Sequence, residues 1–415
     1  MRIAIVSMDS RGGIQPYLAL GAGLESAGHQ VRVIAPSDFA AMIQERGLSH
    51  APITGDVEAA VRASGGTDKL GGVSGMRYAA QQMEGRILGW TRETLEGCEG
   101  VDLVTGGIGG MVLGLSVAEK LGVPFLETQL QPLGASSDTY PGVLFPGTPR
   151  WLGRWGLRMS HRLSELGVWM PFEGAMAKAR SQVLGLKGRA RAADGQPVLY
   201  GFSRHVVDVP SSPDRERHVT GYWTLPAAPS WTPSAELERF LARSGPVVSL
   251  GFGSMASEDP AAVTALVLGA IRKAGVRAVL LSGWGGLTSL TEPDDVFCAE
   301  ALPHDWLFPR MRAVVHHGGA GTTGAGLRAG VPSIVVPFGV DQPFWGSRVE
   351  LLGAGPTPIP RGKLTEARLA DALTRAVSDE TMRARAAELG EKLRAEDGVA
   401  AAVALFDRVT PARSR

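Results

Sequence analysis

The chain has 415 residues, of which 44% are hydrophobic and 20% charged, with a formal net charge of +1. That length suits two domains of roughly 200 residues rather than one core, and the neutral balance supplies neither a basic groove for nucleic acid nor a charged tail. Its two cysteines, Cys98 and Cys298, make no metal-ligand spacing and no disulfide framework, as expected of a reducing, cytoplasmic compartment.

Taken in chain order, residues 3–6 read as a buried strand, too short an apolar run for a secretory leader. Nothing later reaches the ~20 apolar residues that cross a bilayer, so any membrane contact is expected to be peripheral. A glycine-bearing turn follows at Arg11-Gly12-Gly13, then a helix over about 16–27 stopped by Gly28, and a second strand over 31–34. Residues 101–104 read as a strand and 111–121 as a helix ended by Gly122. Residues 136–158, rich in Pro, Gly, Trp and Ser, read as a long shaped loop of the kind that carries function. Helices over about 156–184 and a late strand over 206–209 complete this half.

Pro226, Pro229 and Pro233, with small residues between, mark a linker over 225–233. The alternation then restarts: strands over 246–250, 276–281, 296–297, 313–315 and 333–336, with a helix over 261–274. The rhythm predicts two doubly wound α/β domains with parallel sheets, which take ligands at the carboxyl ends of their strands. The domains are expected to face a central cleft.

The strongest local signal is Ala313-Val314-Val315-His316-His317-Gly318-Gly319-Ala320-Gly321-Thr322-Thr323. A strand runs into glycines, and a helix over about 322–329 follows, stopped by Gly330. Glycines let main-chain amides approach an anion, and a helix start offers free N–H groups with about half a positive charge. Thr322 can cap the helix and His317 can donate a hydrogen bond, so the loop can hold a diphosphate without a metal. The alternative is a tight turn that binds nothing. It is neither a P-loop nor a dinucleotide fingerprint, since both patterns are absent. Downstream, Asp341 and Gln342 in Pro337-Phe338-Gly339-Val340-Asp341-Gln342-Pro343-Phe344-Trp345 can bond sugar hydroxyls.

This loop, Leu302-Pro303-His304-Asp305-Trp306-Leu307-Phe308, the Asp341 segment, Arg11-Gly12-Gly13-Ile14-Gln15-Pro16-Tyr17 and Gly251-Phe252-Gly253-Ser254-Met255 occur in family order. Together they resemble the GT-B family of UDP-dependent glycosyltransferases, in the sterol glucosyltransferase-like and antibiotic glycosyltransferase branch. The resemblance covers nearly the whole chain and is weakest over about 140–198. It implies an N-terminal acceptor-binding domain over 1–225, a nucleotide-sugar-binding domain over 226–398, and a final helix in 399–415 packing back on the first domain. It also implies that His317, Gly319, Ala320, Gly321 and Thr322 hold the diphosphate, and that Asp341 and Gln342 bind the sugar. Ser254 would reach the nucleotide, the backbone of Leu302 would read the uracil edge, and Gly12 and Gly13 would lie on the nucleotide-sugar side. Many relatives stack a Trp on the uracil just before Leu302. Ala301 stands there, which leaves Trp284 as the candidate.

The acceptor pocket is expected from 129–145 and 151–170, with Leu130, Tyr140, Phe145 and Trp169 among its walls. An inverting transfer needs a base for the acceptor hydroxyl. Relatives often place an Asp where this chain has Gly13. Asp9, on the same loop, is the first replacement and Asp138 the second, whereas His29 reads as a helix terminus. The function implied is inverting, metal-independent transfer of a hexose, glucose first, from UDP-sugar or a dTDP-sugar to a small lipophilic acceptor, by a monomer or homodimer. The acceptor would be phenolic, polyketide or sterol-like. The competing readings are a catalytically silent nucleotide-binding relative and a sugar-nucleotide epimerase.

Overall fold

The structure, a computed structural model, describes residues 1–55, 72–190, 196–210, 215–253, 255, 259–283 and 294–409. They form two compact units. One comprises the described residues of Met1–Val57, Gly72–Leu225 and Glu396–Arg415; the other runs over Pro226–Ala395.

The first unit is a seven-stranded sheet of β1 (Arg2–Val6), β2 (Gln30–Pro36), β3 (Ser49–Ile53), β4 (Leu103–Gly106), β5 (Phe125–Gln129), β6 (Val198–Tyr200) and β7 (Arg217–Val219). Its order is β3-β2-β1-β4-β5-β6-β7, with every pair parallel. Ile3, Ala4, Ile5 and Val6 are all buried, as a strand covered on both faces requires. The second unit contains β8 (Val247–Gly251), β9 (Arg277–Leu281), β10 (Val296–Ala299), β11 (Ala313–His316) and β12 (Ser333–Val335). They lie in the order β10-β9-β8-β11-β12, again all parallel. In each unit the winding reverses beside the first strand, between β1 and β4 and between β8 and β11. These are the topological switch points at which such sheets bind ligands.

Local chemistry sets the helix ends. Asp259 caps the helix Pro260–Ala274 by accepting from Ala262 N at 2.9 Å, and Gly275, at φ +62°, closes it. Three expectations are corrected. Arg11-Gly12-Gly13 is the first turn of the helix Arg11–Ser26, not a loop before it, because the Ser10 carbonyl accepts from both Gly13 N and Ile14 N. Pro16 sits inside that helix, and the carbonyl it leaves without a donor belongs to exposed Gly12. Residues 206–209 form no strand, because Val206 N and Val207 N both donate to the Ser203 carbonyl and turn the chain; the sheet continues instead through β7.

The helix Gly398–Val409 packs on the helix Arg11–Ser26 within the first unit. A Cβ at Gly23 would lie 2.3 Å from Val399 Cγ1, so only glycine permits that approach. His29 bonds to Asp407 at 3.1 Å, and Ser203 donates to Glu396 at 2.8 Å.

Candidate active site

In the second unit, His316 ends β11 beside Gly251 of β8, so His317-Gly318-Gly319 emerges at the switch point. Gly318 has φ +94°, and a Cβ there would meet Val335 Cγ1 at 2.6 Å. Buried His316 accepts from Gly318 N through Nδ1 at 3.1 Å, which puts its own proton on Nε2 and fixes the turn. The helix Ala320–Ala329 begins two residues before the expected start, with Gly319 as its N-cap. Thr322 is therefore not the cap but lies in the first turn, beside the amides of Ala320 and Gly321 that a helix start leaves without internal partners.

The His317 imidazole lies against two glycines. A Cβ at Gly319 would come within 2.6 Å of its Nε2, and one at Gly253 (φ +61°) within 3.1 Å of its Cε1. Burial, then the charge of His304, pushes the His317 imidazole down to about 4. Burial, followed by His317 and His304, pushes His316 down to about 3. Both are neutral at working pH. His317 Nδ1 is buried without a hydrogen-bond partner among the described residues, a polar atom that a ligand can satisfy. His304, stacked on Phe308 at 4.3 Å, and Gly253 are members of this cluster that the sequence did not single out.

The downstream segment is held hard. Gln342 Oε1 accepts from Phe338 N at 2.8 Å and Gly339 N at 3.3 Å, while Nε2 reaches Met255 Sδ at 3.4 Å. Gln342 thus braces the turn through Oε1, with Nε2 on the Met255 side. Asp341 accepts from Trp345 Nε1 at 2.9 Å. Just before Asp341, Val340 has φ +57°, the one non-glycine residue in the left-handed region among the described residues and a costly place for a β-branched side chain. That strain fixes where Asp341 stands. Val340→Gly should leave stability unchanged or raised by about 1 kcal/mol while relaxing discrimination between donor sugars. A melting curve and competition between two donors check this; unchanged selectivity counts against Asp341 as the sugar contact. Leu302 packs its side chain against the cluster of Phe240 and Phe308. Ser254 and Trp284 lie outside the described residues.

In the first unit, Asp9 follows β1 at that sheet's switch point, and Ser7 Oγ donates to its Oδ2 at 2.9 Å. Burial raises its carboxyl above the ordinary range, opposed by the Ser7 bond. A Cβ at Gly13 would lie 2.4 Å from Asp9 Cβ and 2.8 Å from its Cγ. The Asp9 side chain therefore fills the space that a side chain at position 13 would take. Gly12 has nothing within 4 Å of where its Cβ would be. Asp138 is different. Arg158 and Arg154 both hold it, with Nε atoms at 2.6 and 2.8 Å, and keep its carboxyl below the usual range. A clamped carboxylate of low basicity is a poor proton acceptor, so Asp138 leaves the search for a base.

The expected acceptor walls separate. Tyr140 is buried, edge-on to His161, which bonds its carbonyl at 2.9 Å. Leu130 is buried and Phe145 half-buried, but Trp169 packs against the hydrophobic core around Val104 and Phe125 rather than standing as a free wall. Among the described residues no three metal-ligating side chains gather, and no helix is long and apolar enough to cross a membrane.

Two family models match the chain: the glycosyltransferase family 28 N-terminal domain over residues 3–137 and the erythromycin biosynthesis protein CIII-like C-terminal domain over 285–404. The sterol 3-beta-glucosyltransferases of Aspergillus clavatus and Penicillium rubens are 34% and 35% identical over 97% of this chain. The chain spans only 29% and 30% of their lengths. The glycosyltransferase VinC, solved in complex with dTDP, superposes with a TM-score of 0.69 at 21% identity over 99% of both chains. The kitacinnamycin glycosyltransferase does so with 0.69 at 20%, also over 99% of both. These likenesses match the two parallel-sheet units to the GT-B fold.

Proposed function

We propose that the chain, whose two units match the GT-B fold, is a glycosyltransferase that transfers a hexose from a nucleoside-diphosphate sugar to a hydroxyl of a small lipophilic acceptor, sterol-like, polyketide or phenolic. The observation that carries this is the glycine turn at the β8–β11 switch point, with its helix start and its buried, partnerless His317 Nδ1. The amides of Ala320 to Thr322 would donate to the diphosphate oxygens, and His317 would donate to one of them as well. The helix start then stabilises the charge that grows on the leaving group, work that a metal does elsewhere. Asp341 would bond the sugar, with Gln342 holding its turn. Asp9 would take the acceptor proton as the hydroxyl oxygen attacks the anomeric carbon, which inverts that centre. Glucose on UDP is the first donor to try, a dTDP-sugar the second.

Incubation with each donor and a panel of sterols, macrolides and phenols should give a product heavier by one sugar, of inverted anomeric configuration by NMR. A chelator should leave the rate unchanged. Activity abolished by the chelator and restored by magnesium or manganese overturns the metal-free part. Gly13, where relatives carry an Asp, favours a second reading, binding without turnover; nucleotide binding with no product from any acceptor supports that one.

A further inference from the structure

The buried face of the helix Gly153–Trp169 carries Ser160, His161 and Ser164. These bond the preceding loop: Gly142 N donates to Ser160 Oγ at 2.8 Å, Leu144 N to Ser164 Oγ at 3.1 Å, and His161 Nε2 meets the Tyr140 carbonyl. A Cβ at Gly142 would lie 2.4 Å from the Ser160 carbonyl oxygen, so the loop backbone lies directly on the helix. Val168 is buried and Trp169 packs on the core, but several large apolar residues face water. Trp151 is 83% exposed, Trp155 67% and Leu166 57%, with Leu163 and Met170 exposed beside them. At helical spacing Trp155, Leu163, Leu166 and Met170 fall on one stripe, and Trp151 stands on the short turn Arg150–Leu152 just before the helix. Arg154, Arg158 and Arg162, four residues apart and all exposed, line one edge of it.

We infer that this stripe seats the protein on a lipid surface carrying anionic headgroups. Tryptophan beside arginine is the composition that settles at a bilayer interface, with rings at headgroup depth and guanidinium groups against phosphate. Three arginines against Glu165 give the helix a formal charge of +2 (3 − 1), reduced to +1 when Asp138, which holds two of those arginines, is counted. The apolar stripe therefore carries most of the binding, and the headgroup charge adds a preference. A second copy of the chain is the competing occupant. A self-paired contact would bring the arginine edge of one copy against the same edge of the other, whereas anionic headgroups complement it. This extends the lipophilic-acceptor reading, since a sterol-like acceptor would be met in a membrane.

The test is flotation of the full chain with vesicles of phosphatidylcholine, with and without phosphatidylserine. The wild type should float with both and more with the anionic ones. The triple variant Trp151→Ser, Trp155→Ser, Leu166→Ser should lose binding by about tenfold or more, while keeping its melting curve and its nucleotide affinity. Trp155→Phe should retain most of the binding. A wild type that stays with the soluble fraction overturns the inference, and so does a triple variant that floats equally well. A wild-type dimer in solution that the triple variant turns into a monomer overturns it too, by assigning the stripe to self-association. Flotation needs no turnover, so its result stands apart from that of the transfer assay.

Discussion

Asp9→Asn is expected to lower turnover by about 10²–10⁴-fold with nucleotide affinity unchanged. The substitution keeps the shape and the Ser7 bond but removes the proton acceptor. Burial raises the Asp9 carboxyl, which makes it a stronger base than an exposed carboxylate. The same burial makes its anion costly. A raised carboxyl binds more protons folded than unfolded, so its contribution to stability is present at low pH and lost as pH rises through the folded value. Asp9→Asn should therefore melt at or above the wild-type temperature at neutral pH while losing activity, which separates catalysis from folding. The loss should be larger for an aliphatic alcohol than for a phenol, whose proton leaves more readily. Because Asp9 occupies the space in front of Gly13, a sharper test follows. Gly13→Asp alone should clash, whereas Asp9→Gly with Gly13→Asp should regain turnover that Asp9→Gly alone has lost. Full turnover of an alcohol by Asp9→Asn would remove Asp9 from the mechanism.

His317→Ala should weaken binding of the nucleotide diphosphate by roughly 1.5–3 kcal/mol, the worth of a hydrogen bond to a charged group, or about 10- to 150-fold in affinity. Gly319→Ala should reproduce much of that loss without touching the ring. The backbone at Gly319 (φ −61°, ψ 148°) suits any residue, but the new Cβ would lie 2.6 Å from His317 Nε2 and push the imidazole aside. Isothermal titration with UDP and dTDP reads both variants. Unchanged affinity in both would move the diphosphate elsewhere. The pH dependence supplies an independent check. A histidine depressed from about 6.5 to about 4 binds fewer protons folded than unfolded, so stability is lost as pH falls through that window. His317→Ala should flatten part of that acid slope, and a bound diphosphate should oppose it by favouring the protonated ring.

Much of the scaffold was legible in the sequence, because parallel strands buried on both faces and glycine-ended helices leave local, periodic signals. The run 313–316 and its glycines marked the β11 turn correctly. The helix start was misjudged, since a glycine N-cap leaves no side-chain signature and Thr322 offered a plausible one. Residues 206–209 had the composition of a strand, yet a single carbonyl at Ser203 drew two of their amides into a turn. Sequence spacing could not show that Asp9 fills the space before Gly13, because that meeting depends on the helix beginning at Arg11. Nor could it show that Arg154 and Arg158 close on Asp138, or that Gln342 turns inward to its own loop. The exposed apolar stripe of Gly153–Trp169 was hidden for the same reason: which face that helix buries depends on the loop amides that Ser160 and Ser164 hold.

The packing of Gly398–Val409 on Arg11–Ser26 also bears on how the molecule is made. The first unit takes in residues from both sides of the second. A ribosome releases the Asp9 loop and its sheet early, but the segment that covers Gly23 emerges only after all of Pro226–Ala395. The second unit can thus complete its fold during synthesis while the first waits with an apolar face uncovered. Nascent chains stalled before Glu396 should be captured by chaperones through that uncovered face.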